Sequence, residues 1–299
     1  MRETAVRHVD VFTDEIFSGN PLTVIPEAEG LSDSQMQQIA SEFGTPETAF
    51  ILASEGHDYR LRIFSPIKEI PFAGHPIIGA AHVFVSEISK SHGRRLMHET
   101  GIGVLQIDVM GDQPPHKLIM DQGKPRILGK LDEEHLKGLC DALTLDRKGT
   151  SSDSSPQIIS TGLPQLFIQV NGLGDLSHLS PDFNKITKIE NELGLTGVGV
   201  FTLETVNSDA SAHLRFFVPS IGISEDAAAG SAAGGLGAYM AINGLATKER
   251  LRDFSIEQGF EMGRPSRLYV EVQLKDDAPQ NVRVGGYSVT VSKGVINLQ

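Results

Sequence analysis

Apolar positions along this chain follow a helical and a strand periodicity in turn, and the same succession occurs twice. In the first half Met36, Ile39, Ala40 and Phe43 recur at helical spacing. Ser32 with Gln35 three residues on predicts a capping box at the start of that helix, and Gly44 with Pro46 just beyond predicts its end. The second half carries Phe183, Ile186, Ile189, Glu190 and Leu193 at the same kind of spacing and stops at Gly194. Each helix is preceded by a Gly-x-Pro turn feeding an apolar strand, Gly19-Asn20-Pro21-Leu22-Thr23-Val24-Ile25 and Gly162-Leu163-Pro164-Gln165-Leu166-Phe167-Ile168. Each is followed by a further strand, Thr48-Ala49-Phe50-Ile51-Leu52 and Gly199-Val200-Phe201-Thr202-Leu203.

The parallel continues through Leu61-Arg62-Ile63-Phe64-Ser65-Pro66 and Leu214-Arg215-Phe216-Phe217-Val218-Pro219. Behind these lie two small-residue runs that leave a polar loop and enter a helix: Pro71-Phe72-Ala73-Gly74-His75-Pro76-Ile77-Ile78-Gly79-Ala80-Ala81 and Glu225-Asp226-Ala227-Ala228-Ala229-Gly230-Ser231-Ala232-Ala233-Gly234-Gly235. The offset between halves drifts from 143 residues (Gly19 to Gly162) to 156 (Gly74 to Gly230), which fits loop insertions and excludes a short solenoid repeat. The order of elements is that of a duplicated α+β unit. The polar break Gly111-Asp112-Gln113-Pro114-Pro115-His116 places the boundary after residue 113. The expected domains are therefore 1–113 and 114–299, with the extreme C-terminus able to pair back onto the first. The Ser-rich run 149–156 is placed as a loop inside the second half.

A helix N-terminus presents backbone N–H groups without intrahelical partners, together with the positive end of the helix dipole. Such an end holds an anionic group well, and Gly and Ala let a ligand approach the backbone closely. Two such entries with matching lead-ins point to one ligand in a cleft between the halves, where ligand sites are favoured. The plain alternative is that Gly and Ala only permit close helix packing.

Chemistry is expected where the repeat breaks. Glu47 stands at the mouth of a strand, and its counterpart stretch Gly194-Leu195-Thr196-Gly197 has no ionisable group. His75 follows Gly74 at the first helix entry, whereas Ser231 follows Gly230 at the second, and Asp226 precedes the second. A glutamate in a small, partly dry site has its pKa raised towards the range of a general base, with His75 giving or taking a second proton. Helix-end amides would hold a substrate carboxylate and stabilise the charge developing beside it. Each residue also has a bland reading. Glu47 could be a surface carboxylate, His75 a capping or interior histidine, and Asp226 a helix N-cap. Arg62 and Arg215 read as structural partners for buried carboxylates rather than catalysts.

Bulk properties narrow the partners. The 299 residues are 39% hydrophobic and 21% charged, an ordinary globular balance. The net charge of -12 argues against nucleic acid or an anionic membrane surface. No apolar run approaches the ~20 residues of a membrane span, and the start of the chain reads as a strand without a signal-peptide core. Cys140 is the single cysteine, expected in or near the core, and no disulfide framework is possible within the chain, which suits the cytoplasm. No metal-ligand spacing and no nucleotide-binding fingerprint occurs.

Taken together, the chain resembles the PhzF-like (phenazine biosynthesis-type) isomerases, relatives of diaminopimelate epimerase. The resemblance covers nearly the whole chain. It rests on Val9-Asp10-Val11-Phe12, Gly19-Asn20-Pro21, Glu47-Thr48-Ala49-Phe50, Pro71-Phe72-Ala73-Gly74-His75-Pro76, Ser160-Thr161-Gly162, Arg215-Phe216-Phe217-Val218-Pro219, Glu225-Asp226, Gly230-Ser231-Ala232, Gln258-Gly259, Gly263-Arg264-Pro265-Ser266 and Val284-Gly285-Gly286. It implies an α+β fold of two pseudo-symmetric domains, each a bent, mostly antiparallel sheet wrapped around a central helix, and a homodimer. It implies a cofactor-independent isomerase, without metal, whose glutamate shuttles a proton on a small carboxylate-bearing substrate. Glu47, His75 and Asp226 match the catalytic positions, and Gly74, Gly230, Ser231 and Asn20 are expected to bind substrate.

Two departures sharpen the expectation. At the second entry the family usually has Pro and Thr where this chain has Ala227 and Ala229. Related epimerases and racemases place paired thiols where this chain has Ala73 and Ala229, so a one-carboxylate shuttle is favoured over a two-cysteine mechanism. Two other readings stay open: a non-catalytic member that binds a metabolite or protein, and a two-base epimerase using His75 as second base.

Overall fold

In the computed structural model of the protein, Ser32 caps its helix as the pattern requires. Its side chain accepts from the Gln35 N–H, and the Gln35 side chain accepts from the Ser32 N–H at 3.0 Å. The helix, α1 (Asp33–Phe43), ends at Gly44, which takes a left-handed conformation and returns its N–H to the Ala40 carbonyl. Residues 2–89, 95–151, 155–246, 254–276 and 278–298 are described. Part of the Ser-rich run, 152–154, lies outside them.

The chain forms two compact units, residues 1–120 with 285–299, and residues 121–284. In the first unit, β1 (Arg2–Val11) pairs antiparallel with β2 (Asn20–Ile25), and β2 pairs parallel with β3 (Thr48–Leu52) beyond α1. β3 is antiparallel to β4 (Tyr59–Phe64), which also takes the short β5 (Glu69–Ile70) as a neighbour. After α2 (Gly74–Val83), β6 (Arg95–Thr100) lies parallel to β4 and antiparallel to β7 (Gly103–Met110), which is followed by β8 (Lys117–Gly123).

The second unit repeats this order. β9 (Arg126–Lys130) and α3 (Glu133–Leu143) lead into β10 (Gln157–Ser160), which is antiparallel to both β9 and β11 (Pro164–Gln169). After α4 (Leu173–Ser177) and α5 (Phe183–Leu193), β12 (Val198–Thr202) lies parallel to β11 and antiparallel to β13 (Ala212–Phe217). Then α6 (Gly230–Ile242) separates β13 from β14 (Phe254–Gln258), which is parallel to β13 and antiparallel to β15 (Ser266–Lys275). The chain returns along β16 (Ala278–Gly286) to β17 (Ser288–Leu298), which pairs antiparallel along the whole of β1, from Arg2 opposite Leu298 to Val11 opposite Ser288.

The corresponding helices α2 and α6 are central in their units. His75 to Ala81 are all buried in α2, as are Ala232 to Met240 in α6. A helix apolar on every side belongs inside, and small residues let strands close in on it. By contrast, α1 and α5 bury one face each: Met36, Ile39 and Ala40 on the first, Ile186, Ile189 and Glu190 on the second. Cys140 is buried on α3, as expected, in a core with Leu143, Leu166, Ile186 and Val200. Mixed pairing, mostly antiparallel, around a buried helix is the α+β architecture expected from the sequence. No helix of the described residues is long and apolar enough to cross a membrane.

Candidate active site

The turn before β2 requires its glycine. Gly19 has φ +66°, and a Cβ there would lie 2.3 Å from the Val11 carbonyl oxygen. That close return along β1 sets Asn20 opposite Val11 as the first residue of β2, where it is buried.

Glu47 sits in the short link between α1 and β3. The Thr45 hydroxyl donates to the Glu47 carbonyl at 2.8 Å and also meets Thr23 Oγ1 at 3.1 Å, fixing the backbone just before the strand. His75 is the second residue of α2, and its ring is buried. The two side chains meet: His75 Nε2 lies 3.2 Å from Glu47 Oε2, with side-chain exposures of 8% and 13%. Glu47 is therefore no surface carboxylate. Burial pushes the His75 pKa down from the ordinary 6.5 to about 3, so the imidazole is neutral at physiological pH. The contact is then one between a carboxyl group and a neutral imidazole, whose facing atoms meet at 3.2 Å without the alignment of a hydrogen bond. Gly74 opens the same helix turn, whose N-cap Ala73 supplies no side-chain hydrogen bond, so the first N–H groups have no cap from that residue.

The second entry is built differently. Asp226 lies three residues before the α6 N-cap, which is Ala229, so it is not a capping residue of this helix. Its carboxylate accepts from the Ala228 N–H at 3.0 Å, and its own N–H donates to the Phe216 carbonyl at 2.9 Å. Ala229 again provides no side-chain cap. Gly230 and Ser231 form the first turn, and Ser231 Oγ accepts from Gln165 Nε2 at 2.9 Å.

Of the residues singled out from sequence, the structure brings Glu47, Gly74 and His75 together in the first unit, and Asp226, Gly230 and Ser231 onto one loop and helix start in the second. The matched arginines differ. Arg215 makes a two-pronged pair with Glu225 at 2.8 and 2.9 Å, largely shielded. Arg62 instead reaches Asp33 and Glu69, whose side chains are 83% and 44% exposed, so its expected buried partner is in fact a pair of surface carboxylates. Sequence reading missed three glutamines around the α6 entry. Besides Gln165, Gln122 Nε2 donates to the Gly230 carbonyl at 2.9 Å, and Gln258 joins the Asp226 carbonyl (2.7 Å) to the Ala229 N–H (3.2 Å). Only Gln258 had a signal, as part of the Gln258-Gly259 pair.

The fold is thus a duplicated α+β unit with a buried small-residue helix in each half, and a carboxyl–imidazole pair stands at one helix entry. The family model for phenazine biosynthesis-like proteins (PhzC-PhzF) matches residues 9–294, and the chain belongs to that family. An uncharacterized isomerase of Clostridium acetobutylicum is 36% identical over 301 residues, covering 100% of this chain and 99% of its own. The trans-2,3-dihydro-3-hydroxyanthranilate isomerase of Pseudomonas chlororaphis is 33% identical, covering 97% of this chain and 98% of its own. A Bacillus anthracis phenazine biosynthesis protein of the PhzF family superposes with a TM-score of 0.90 at 25% identity, covering 100% of both chains. The protein is an isomerase of this family.

Proposed function

We propose that the chain isomerises a small carboxylate-bearing metabolite, cyclic or unsaturated, by moving one proton with Glu47 as base and then acid. The observation that carries this reading is the 3.2 Å approach of Glu47 Oε2 to the buried, neutral His75. Ionised Glu47 takes a proton from an acidified C–H of the substrate. Protonated Glu47 then returns it at another carbon of the same conjugated system, and no electron carrier is needed. A neutral His75 Nε2 can donate to the ionised form or accept from the protonated form, supporting both halves of the cycle. Asp226 assists, and Asn20, Gly74, Gly230 and Ser231 bind substrate. Two groups only 3.2 Å apart leave no room for a carbon atom between them. This supports a shuttle from one side over a reading in which Glu47 and His75 are opposing bases.

The Pseudomonas relative acts on trans-2,3-dihydro-3-hydroxyanthranilate, an unsaturated cyclic carboxylate, which fits this substrate class. We further propose a cofactor-independent homodimer acting in the cytoplasm. The test is deuterium incorporation from heavy water into candidate unsaturated carboxylates. Exchange is expected with the wild type and is expected to fall by about 10²- to 10⁴-fold in Glu47→Gln. Undiminished exchange in that variant overturns the role of Glu47.

A further inference from the structure

The contacts of Gln122 and Gln258 fix main-chain atoms whose hydrogen-bonding roles are set by their chemistry. Gln165 is different, because it reaches a hydroxyl. A serine Oγ can donate one hydrogen bond and accept others, and its neighbours decide which role is left for a ligand. Gln165 is 1% exposed at the start of β11, and its Nε2 donates to Ser231 Oγ at 2.9 Å. That bond occupies a lone pair of Ser231 and leaves the O–H to point elsewhere.

The other end of the same amide supports this direction. Gln165 Oε1 is buried and meets no donor among the described residues. Reversing the amide would make Ser231 the donor and leave a buried NH2 group without an acceptor instead. Orphaned N–H groups are rarer in proteins than under-satisfied carbonyls, so the observed direction is the cheaper one. The surrounding helix turn adds only donors: the first N–H groups of α6 receive no side-chain cap from Ala229.

We propose that Gln165 is a positioning residue that holds the Ser231 hydroxyl as a hydrogen-bond donor. The Ser231 O–H and the first N–H groups of α6 then act together as donors, and the ligand group they favour is an oxygen that accepts several hydrogen bonds at once, as a carboxylate does. The proposal rests on the assignment of Ser231 to substrate binding.

The test is titration calorimetry with anthranilate and benzoate as probe carboxylates, with a melting curve for every variant. S231A and Q165L are each expected to weaken binding by about tenfold, the scale of one hydrogen bond to a charged group. The S231A/Q165L double variant is expected to bind no more weakly than S231A alone. Q165E is expected to bind more weakly than Q165L, because its carboxylate would accept from the Ser231 O–H and turn it away from the ligand. If Q165L does not fold, Q165M keeps the side-chain length and carries the same comparison. Q165L binding like wild type, or costing as much in the S231A background as in wild type, overturns the assignment of Gln165 while leaving Ser231 in place. S231A binding like wild type, or a wild type that takes up neither probe, overturns the carboxylate reading of Ser231, and the role of Gln165 falls with it.

Discussion

His75 Nε2 and Glu47 Oε2 approach to 3.2 Å inside the first unit, the histidine from a helix turn and the glutamate from the link into a strand. Burial holds the imidazole neutral, with a pKa of about 3. The ring is therefore expected not to titrate between pH 5 and 8. Nitrogen NMR of the His75 ring is the check, and a midpoint near the ordinary value of about 6.5 contradicts the neutral assignment.

A second histidine behaves in the opposite way. His213 on β13 lies across from Glu257 on β14, with Nδ1 2.9 Å from Glu257 Oε2 and Nε2 3.3 Å from Glu261 Oε1. Burial disfavours charge on this ring, but hydrogen bonds to Glu257 and Glu261 outweigh it and lift the pKa to about 9. The folded-state value lies above the ordinary one, so the contribution is complete below about pH 6.5 and is lost as pH rises through 9. The two glutamates, despite burial, are held below the ordinary carboxylate value, so their share is present at neutral pH and lost on acidification. Thermal melts from pH 6 to 10 should show a fall in stability at the alkaline end that is absent in His213→Gln. That variant should also be less stable at pH 7 by about 3–5 kcal/mol, the cost of breaking a buried pair.

The two matched arginines should respond unequally to the same substitution. Arg215→Met strands Glu225, whose side chain is 13% exposed, and is expected to cost about 3–5 kcal/mol. Arg62→Met releases carboxylates that water can solvate, and is expected to cost about 1 kcal/mol or less. Denaturant melts of both variants check the contrast.

Gly79 lies in the middle of α2, where a Cβ would approach Leu22 Cδ2 to 2.4 Å and Val11 Cγ2 to 2.8 Å. In an exposed helix Gly→Ala stabilises by about 1 kcal/mol. Here overpacking against β1 and β2 reverses the sign, and Gly79→Ala is expected to lower stability by about 1–3 kcal/mol. A rise in melting temperature would count against such close packing.

Local chemistry explains what could be read from the chain beforehand. Both ends of α1 follow from residues within four positions of each other, as does the stop of α5 at Gly194, with φ +65°. The repeat was legible because its punctuation recurs in order, and with it the two buried helices and the mixed sheet of each unit. Glu47 and His75 were singled out because they break the repeat, although their contact joins residues 28 positions apart and has no local signature. The same distance hid the Gln165–Ser231 bond, which spans 66 residues, and the His213–Glu257 pair, which spans 44. Asp226 illustrates the converse. Its place before a helix suggested a cap, but Asp226 is three residues too early, and its carboxylate closes a turn onto Ala228 instead.

The pairing of β17 along the whole of β1 reverses the order in which the chain can complete itself. Residues 121–284 are contiguous and can assemble as soon as they have been synthesised. The unit that contains Glu47 starts first, yet it has to wait for 285–299 before β1 gains its second neighbour. On a ribosome the glutamate-bearing half thus closes after residues 121–284, and a nascent chain that has not yet reached β17 carries an open sheet edge at β1.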